Sequence, residues 1–86
     1  MSDSPSQSAT AEALQDFIQQ EILFGQSVRR DEDLLLSGLI DSISVMNLVG
    51  RVEEILGSPV PPEDVTLENF VSVDAMTRYI DTKKAG

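Results

Sequence analysis

The sequence predicts an all-α fold, a small four-helix bundle with three longer helices and one short helix. Apolar residues recur every three or four positions in several segments, which is the spacing of one face of a helix. No segment alternates between apolar and polar residues as a half-buried strand does. With 86 residues, 41% of them hydrophobic, the chain is long enough for one domain with one compact core.

The first helix is predicted to begin near Ser8 or Thr10. The Ser-rich residues 1–8 before it are expected to be disordered. Gly25 is the expected stop, because glycine readily adopts the left-handed conformation that ends many helices. The apolar stripe of this helix consists of Ala11, Leu14, Phe17, Ile18 and Ile22.

A long connection is predicted from about Gln26 to Ile40, and it would let some neighbouring helices run parallel. A loop of this length needs anchoring, which its apolar residues are expected to provide by packing on the bundle. These residues are Leu34, Leu35, Leu36, Leu39 and Ile40. The acidic run 31–33 suggests calcium, but Leu35 and Ser42 occupy the fifth and twelfth positions of an EF-hand loop counted from it. An EF-hand is therefore not predicted. Either a loose surface cation site or a solvated acidic turn remains, and the solvated turn is the favoured prediction.

The second helix is predicted to run from Ser42 to about Leu56. Its buried stripe consists of Val45, Leu48, Val49, Val52, Ile55 and Leu56. Ile43 and Met46 lie beside Ser42 on a different face, either partly exposed near a bound group or partner, or as part of a wide core stripe. Gly50 costs about 1 kcal/mol relative to Ala in mid-helix, and either close helix packing or room for a bound chain would explain it.

Gly57-Ser58-Pro59 is predicted to end this helix, and Pro61-Pro62 to continue as an extended segment. A short helix is expected within residues 63–70, contributing Val65, Leu67 and Phe70 to the core. Ser72 is expected to cap a last helix. The stripe of that helix consists of Val73, Met76, Tyr79 and Ile80. The helical domain is then expected to span residues 9–82, followed by a tail, 83–86.

Composition narrows the function. Six basic and fifteen acidic residues give a net charge of −9, which opposes binding to nucleic acid or anionic membranes and favours basic protein partners. Cysteine and histidine are both absent, so the chain lacks the commonest general base and metal ligand, and an enzyme is not expected. No apolar run approaches the ~20 residues of a membrane span, and the N-terminus lacks the features of a signal peptide. A cytoplasmic monomer is expected.

The segment Gly38-Leu39-Ile40-Asp41-Ser42-Ile43 carries the main functional signal. Asp41 suits the N-cap position, because its carboxylate accepts hydrogen bonds from the N–H groups of the first helical turn. Ser42 would then be the first helical residue. A phosphate ester on its hydroxyl would lie at the positive end of the helix dipole. These residues alone indicate either an attachment point for a phosphate-linked group or an ordinary helix cap.

The segment resembles the attachment motif of acyl and peptidyl carrier proteins, Gly-x-Asp-Ser-(Leu/Ile), in which the Ser carries 4′-phosphopantetheine. The resemblance runs from about Asp33 to Ile80. Besides the motif and the residues leading into it, it includes three later stretches, Val52-Glu53-Glu54-Ile55-Leu56, Val60-Pro61-Pro62-Glu63-Asp64 and Glu68-Asn69-Phe70-Val71-Ser72-Val73. It implies that Ser42 carries an arm derived from coenzyme A. An acyl or aminoacyl group would be held on that arm as a thioester and delivered between biosynthetic enzymes.

The resemblance also implies partners. These are a phosphopantetheinyl transferase, an enzyme that loads the acyl or aminoacyl group, and downstream enzymes of fatty acid, polyketide or nonribosomal peptide biosynthesis with basic docking surfaces. Asp41 is expected to cap the helix and contribute to recognition by the transferase. Ile43, Met46, Glu53 and Glu54 are the expected partner-binding residues. The alternative is an unmodified carrier-like bundle that acts as a protein–protein interaction module.

The start of the second helix suggests a specialised carrier. Housekeeping carriers of fatty-acid synthesis usually have acids two and five residues after the modified Ser, where this chain has Ser44 and Asn47. Arg51 adds a positive charge further along. The Met start and the short Lys-Lys-Ala-Gly end are what we expect of a stand-alone chain.

Overall fold

The computed structural model describes residues 5–85, and the side chains of residues 9–84 within that range. Its α-helices are α1 (Pro5–Phe17), α2 (Ser42–Leu56), α3 (Leu67–Phe70) and α4 (Val73–Ala85). A π-helical turn, Ile18–Ile22, extends α1, and a 3-10 turn, Pro62–Asp64, precedes α3. No strand occurs in the described range. The predicted all-α bundle, with three longer helices and one short helix, is confirmed.

The two outer helix boundaries differ from the sequence prediction. Helix α1 begins at Pro5, so it includes residues 5–8 of the segment expected to be disordered, whereas residues 1–4 lie outside the described part. Proline suits a first helical turn, because its fixed φ is helical and its missing N–H would have no intrahelical partner there. Helix α4 reaches Ala85, into the segment 83–86 that the sequence assigns to a tail. Lys83 and Lys84 lie in its last turn, as their charge predicts, because positive charge complements the helix dipole at this end.

The core is built from one face of each long helix. Its fully buried side chains include Leu14 and Ile18, Leu48 and Val52, and Val73, Met76 and Ile80. Phe70 of α3 joins them, together with Leu34 and Ile40 from the long connection. The predicted stripes of the three long helices are therefore confirmed, with Phe17, Ile22, Val45, Ile55 and Leu56 only partly buried at their edges.

Two predicted core residues, Leu36 and Leu67, are instead exposed. Consecutive leucines in a tight turn point in different directions, so Leu34 fills the core while Leu36 faces solvent. Leu67 is the first residue of a helix of four residues, and that helix buries the opposite end, at Phe70.

The long connection is held to the helices by hydrogen bonds on both sides. The Gln15 amide donates to the Val28 carbonyl at 2.7 Å, and the Gln19 amide oxygen accepts the Val28 N–H at 2.9 Å. Further along, the Leu34 N–H donates to the carbonyl of Val71, just before α4, at 2.8 Å. Buried polar backbone groups are costly when unpaired, so these bonds and the burial of Leu34 give the connection a defined path.

Tyr79 ties the segment before α3 to α4. Its hydroxyl donates to Asp64 Oδ2 at 2.7 Å, and Lys83 Nζ lies 3.2 Å from the same oxygen. Burial, reinforced by the bond to Asp64, raises the pKa of Tyr79 from its ordinary value of 10.0 to about 12. The hydrogen bond from Tyr79, assisted by Lys83, lowers the pKa of Asp64.

We expect Tyr79→Phe to lower Tm at pH 7 by about 4–8 °C, because it removes a hydrogen bond to a carboxylate. The wild-type phenol holds its proton more tightly when folded, so its contribution is complete below pH 10 and is lost as the pH rises through about 12. The Tm difference between the two proteins should therefore shrink over that interval. Thermal unfolding followed by circular dichroism measures it, and parallel pH profiles would contradict the assignment.

Candidate functional site

Asp41 caps α2 in the geometry predicted from the sequence. Its backbone is extended, with φ −100° and ψ −178°, and its Oδ1 accepts the Ser44 N–H at 2.8 Å. Its carbonyl accepts the Val45 N–H at 3.0 Å, which is the first bond of the helix. The hydrogen bonds from Ser44 lower the pKa of Asp41. The cap is therefore a carboxylate at neutral pH, and Ser42 is the first residue of the helix.

The turn before Asp41 sets the direction in which the helix starts. Asp33 Oδ1 accepts the N–H groups of Leu35 and Leu36 at 3.0 and 2.8 Å. The Ser37 hydroxyl donates to the Asp33 carbonyl at 2.5 Å. Gly38 has a φ of 78°, a left-handed conformation that glycine adopts without the steric penalty of a Cβ. These local bonds make a compact turn that leads directly into Ile40 and the cap.

Buried Ile40 fixes the chain immediately before the site. Its side chain lies in the core, and its N–H donates to the Leu34 carbonyl at 3.0 Å. Because Ile40 points inward and α2 starts two residues later, Asp41 and Ser42 are left on the surface. Within the motif, buried Ile40 is thus followed directly by the accessible residues Asp41 and Ser42.

Ser42 has the properties required of a modification site. It is exposed, and its hydroxyl makes no hydrogen bond with any residue in the described range 5–85. No acidic residue lies in the first turn of α2. The helix dipole gives this end a partial positive charge, which favours a phosphate and opposes the repulsion from Asp41. An accessible, unpartnered hydroxyl at this position fits a phosphodiester-linked group.

Three large apolar side chains close to Ser42 in the sequence are exposed. Ile43 is 74% exposed and Met46 is 63% exposed. These residues therefore do not belong to a wide core stripe, and the alternative that they are exposed is correct. Leu36 is 73% exposed, although the sequence assigned it to the core. Leu34, Leu35 and Leu36 all lie between Asp33 and Gly38, so no signal in the sequence separates Leu36 from its more buried neighbours. Exposed apolar residues of this size suit contact with a partner or a bound chain.

The two acidic residues assigned to partner binding differ in their surroundings. Glu53 is half-buried, and its Oε2 accepts the Val60 N–H at 2.9 Å, so this carboxylate holds the chain after α2. Glu54 is exposed, and its Oε1 lies 3.2 Å from the Arg51 guanidinium. Glu54 therefore presents a paired charge to solvent, while one oxygen of Glu53 serves the fold. Partner binding by either residue stays a prediction.

Among the residues described, no three acidic side chains converge in a way that would hold a metal ion. The acidic turn instead uses its charges locally, since Asp31 pairs with Arg29 at 3.1 Å and Glu32 accepts the Arg29 N–H at 3.0 Å. Over the same range, no helix combines the length and the hydropathy needed to cross a membrane.

Comparison with known families agrees with this geometry. A family model described as the phosphopantetheine attachment site matches residues 12–80 of the 86. The matched region contains the anchored turn, the cap, Ser42 and all of α2 and α3. No curated protein matches the chain.

We expect Asp41→Ala to lower Tm by several degrees, because an N–H group in the first turn of α2 loses its acceptor. Asp41→Asn should retain most of the stability, since an asparagine oxygen caps equally well. Circular dichroism melts of the three proteins at pH 7 test this. Equal Tm values for Asp41→Ala and the wild type would contradict a capping role.

Proposed function

The chain belongs to the phosphopantetheine-attachment family, and we propose that Ser42 is the residue to which 4′-phosphopantetheine is attached. The single observation that carries this proposal is the exposed, unpartnered hydroxyl of Ser42 at the first position of a capped helix. Its Oγ would form the phosphodiester and lose its proton when a transferase moves the arm from coenzyme A, with release of the nucleotide bisphosphate.

The protein would then serve as a carrier of acyl or aminoacyl groups between enzymes of a cytoplasmic biosynthetic pathway. When bound, the group supplies a thiol that holds a carboxylic acid as an activated thioester. In this proposal no residue of the chain makes or breaks a covalent bond of the acyl cargo. Ser42 provides the attachment oxygen, Asp41 keeps the helix end in place, and the core holds both against the turn.

The surface around Ser42 supports docking to several enzymes in turn. Ile43 and Met46, on the first turns of the same helix as Ser42, provide exposed apolar contact area, and Leu36 in the turn before the helix is exposed as well. The net charge of −9 would speed encounters with basic enzymes, the transferase among them. Exposed Asp41 contributes to that field next to the hydroxyl, which supports its proposed part in transferase recognition.

We expect the apo protein to gain the mass of one pantetheine arm when incubated with coenzyme A and a broad-specificity phosphopantetheinyl transferase. Ser42→Ala should abolish the addition while the helical circular dichroism spectrum persists, since the serine side chain makes no contact that the fold needs. Ser44→Ala and Ser37→Ala are matched controls and should still be modified. Intact mass and peptide mass spectrometry locate the group.

Modification of the Ser42→Ala variant at another serine would show that the attachment site is misassigned. If the wild type gains no mass, either here or when isolated from its native host, the unmodified interaction module becomes the better description.

The pathway is proposed to be a specialised one. We expect a malonyl transferase of fatty-acid synthesis to load this holo-protein several-fold more slowly than a housekeeping carrier, because exposed ion pairs worth about 0.2–1 kcal/mol each are missing. Exposed Asn47 is the position to restore, since Ser44 lies against the Asp41 carboxylate. Asn47→Glu should recover part of the rate, and Thr82→Glu, an equal charge change on α4, should not. Equal rates for the wild type and the housekeeping carrier would refute specialisation.

A further inference from the structure

A groove of about 370 Å³ lies between the end of α1 and α2. Phe17 and Ile22 line its α1 side, and Met46, Gly50 and Arg51 are among the residues on its α2 side. Its volume falls in the range of small-ligand pockets, about 300–1,000 Å³. None of the motif residues 38–43 lines this groove, and of the exposed apolar residues discussed above only Met46 does.

Gly50 has no structural reason to be glycine. A Cβ built at this position meets nothing within 4 Å, so close helix packing, one of the two explanations considered for it, is wrong. The helix carries a residue that weakens it, and no neighbouring helix uses the space. The open side of Gly50 faces the groove instead.

The groove begins at Met46, about one helical turn from the attachment point. Ser42, Met46 and Gly50 follow one another at intervals of four residues, so their side chains occupy neighbouring positions along one side of α2. Gly50 lies about 12 Å along the helix axis from Ser42 at about 1.5 Å per residue. A pantetheine arm has a backbone about as long as five extended residues, or about 17 Å. A group attached to Ser42 can therefore reach the groove across exposed Met46.

The groove offers both apolar surface and hydrogen-bond donors. The Arg51 guanidinium lies 4.6 Å from the centroid of the Phe17 ring, and one of its nitrogens is 3.2 Å from Glu54. A guanidinium has five N–H donors, so this ion pair leaves others for a ligand. Asn47, whose side-chain amide carries two further donors, lines the same groove. Pantetheine matches this mixture, because it has amide carbonyls that accept hydrogen bonds and geminal methyl groups that need apolar contact.

We infer that this groove holds the pantetheine arm carried on Ser42 between transfers, with Gly50 leaving the space that the arm occupies. Arg51 and Asn47 supply donors to its amide groups, and Met46 and Phe17 supply apolar contact. The inference rests on the proposed attachment to Ser42. It adds a resting place for the arm on the α1–α2 side of the bundle and assigns a role to Gly50.

The test compares apo and holo forms of the ¹⁵N-labelled full chain by NMR, with loading verified by intact mass. In the wild type, attachment should shift the amide signals of Asn47, Gly50 and Arg51 as well as those of Ile43 and Ser44 beside the phosphodiester. Nuclear Overhauser effects should connect the geminal methyl protons of the arm with the Phe17 ring. In Gly50→Leu the shifts next to Ser42 should persist, and those on Asn47 and Arg51 should disappear.

Another groove lies between α3 and α4 and is lined by residues that include exposed Thr82. Thr82→Leu is the matched control, because it adds a leucine to that groove and should leave the holo shifts of α2 intact. Gly50→Ala is a milder variant that guards against misfolding, and it should raise Tm while weakening the shifts of the groove residues. A second readout is the rate at which the arm thiol is alkylated, which should rise several-fold in Gly50→Leu and stay unchanged in Thr82→Leu.

The two proposals fail in different ways. If mass spectrometry shows a loaded Ser42 but the groove signals do not move, the inference is overturned and the attachment stands. If no arm adds to Ser42, the proposed function fails and the inference falls with it.

Discussion

The geometry of the site depends on the burial of Leu34. This side chain is fully enclosed, its N–H is bonded to Val71, and its carbonyl accepts the N–H of Ile40. The two backbone bonds close the turn 34–40 and join it to the segment before α4. Ile40 is then held in the core, and α2 starts where Asp41 can cap it. Without that anchor, a connection between α1 and α2 of this length would have many conformations, and Ser42 would have no fixed surroundings.

The surface near the motif departs from what stability alone would favour. Burying a large apolar side chain contributes roughly 1.5–3 kcal/mol, yet Leu36, Ile43 and Met46, which are close to Ser42 in the sequence, all stay exposed. The fold meanwhile fully buries Leu34, seven residues before the Asp41 cap, and Leu48, six residues after Ser42. The core therefore positions the site from both sides, while the residues next to the hydroxyl stay exposed to solvent. That division suits the proposed carrier function, in which several enzymes would recognise this surface.

Gly50 and the acidic residues of α2 illustrate how one helix serves two purposes. Glu53 holds Val60 through its carboxylate, and its carbonyl accepts the N–H of Gly57, which ends the helix. On the side of α2 that faces the groove, Gly50 weakens the helix and makes no close packing contact in return. The Arg51 guanidinium lies over the Phe17 ring on the same side. Glu53 thus stabilises the fold, whereas Gly50 and Arg51 leave space and hydrogen-bond donors in the groove for the proposed pantetheine arm.

The features of this protein that can be read from the sequence are those set by contacts between residues close together in the chain. The bounds of α2, the Asp41 cap, the stop at Gly57 and the cap at Ser72 follow from hydrogen bonds between residues at most four positions apart, which composition and spacing reveal. The buried stripes were also readable, because helical periodicity places their members on one face. The motif around Ser42 belongs to this class, since its cap and its turn are local as well.

Only the tertiary structure decided which residues of an apolar run face the core. Leu34 and Leu36 are indistinguishable by type, and their different fates depend on the contact of one of them with Val71, far away in the chain. Glu53 is a second example. Helical spacing places it on a surface face, but its carboxylate accepts the Val60 N–H and so helps to hold the fold. The groove beside Gly50 is likewise formed between residues at the end of α1 and residues of α2, which are distant in the sequence. Such features arise from contacts between distant segments, which local periodicity does not encode.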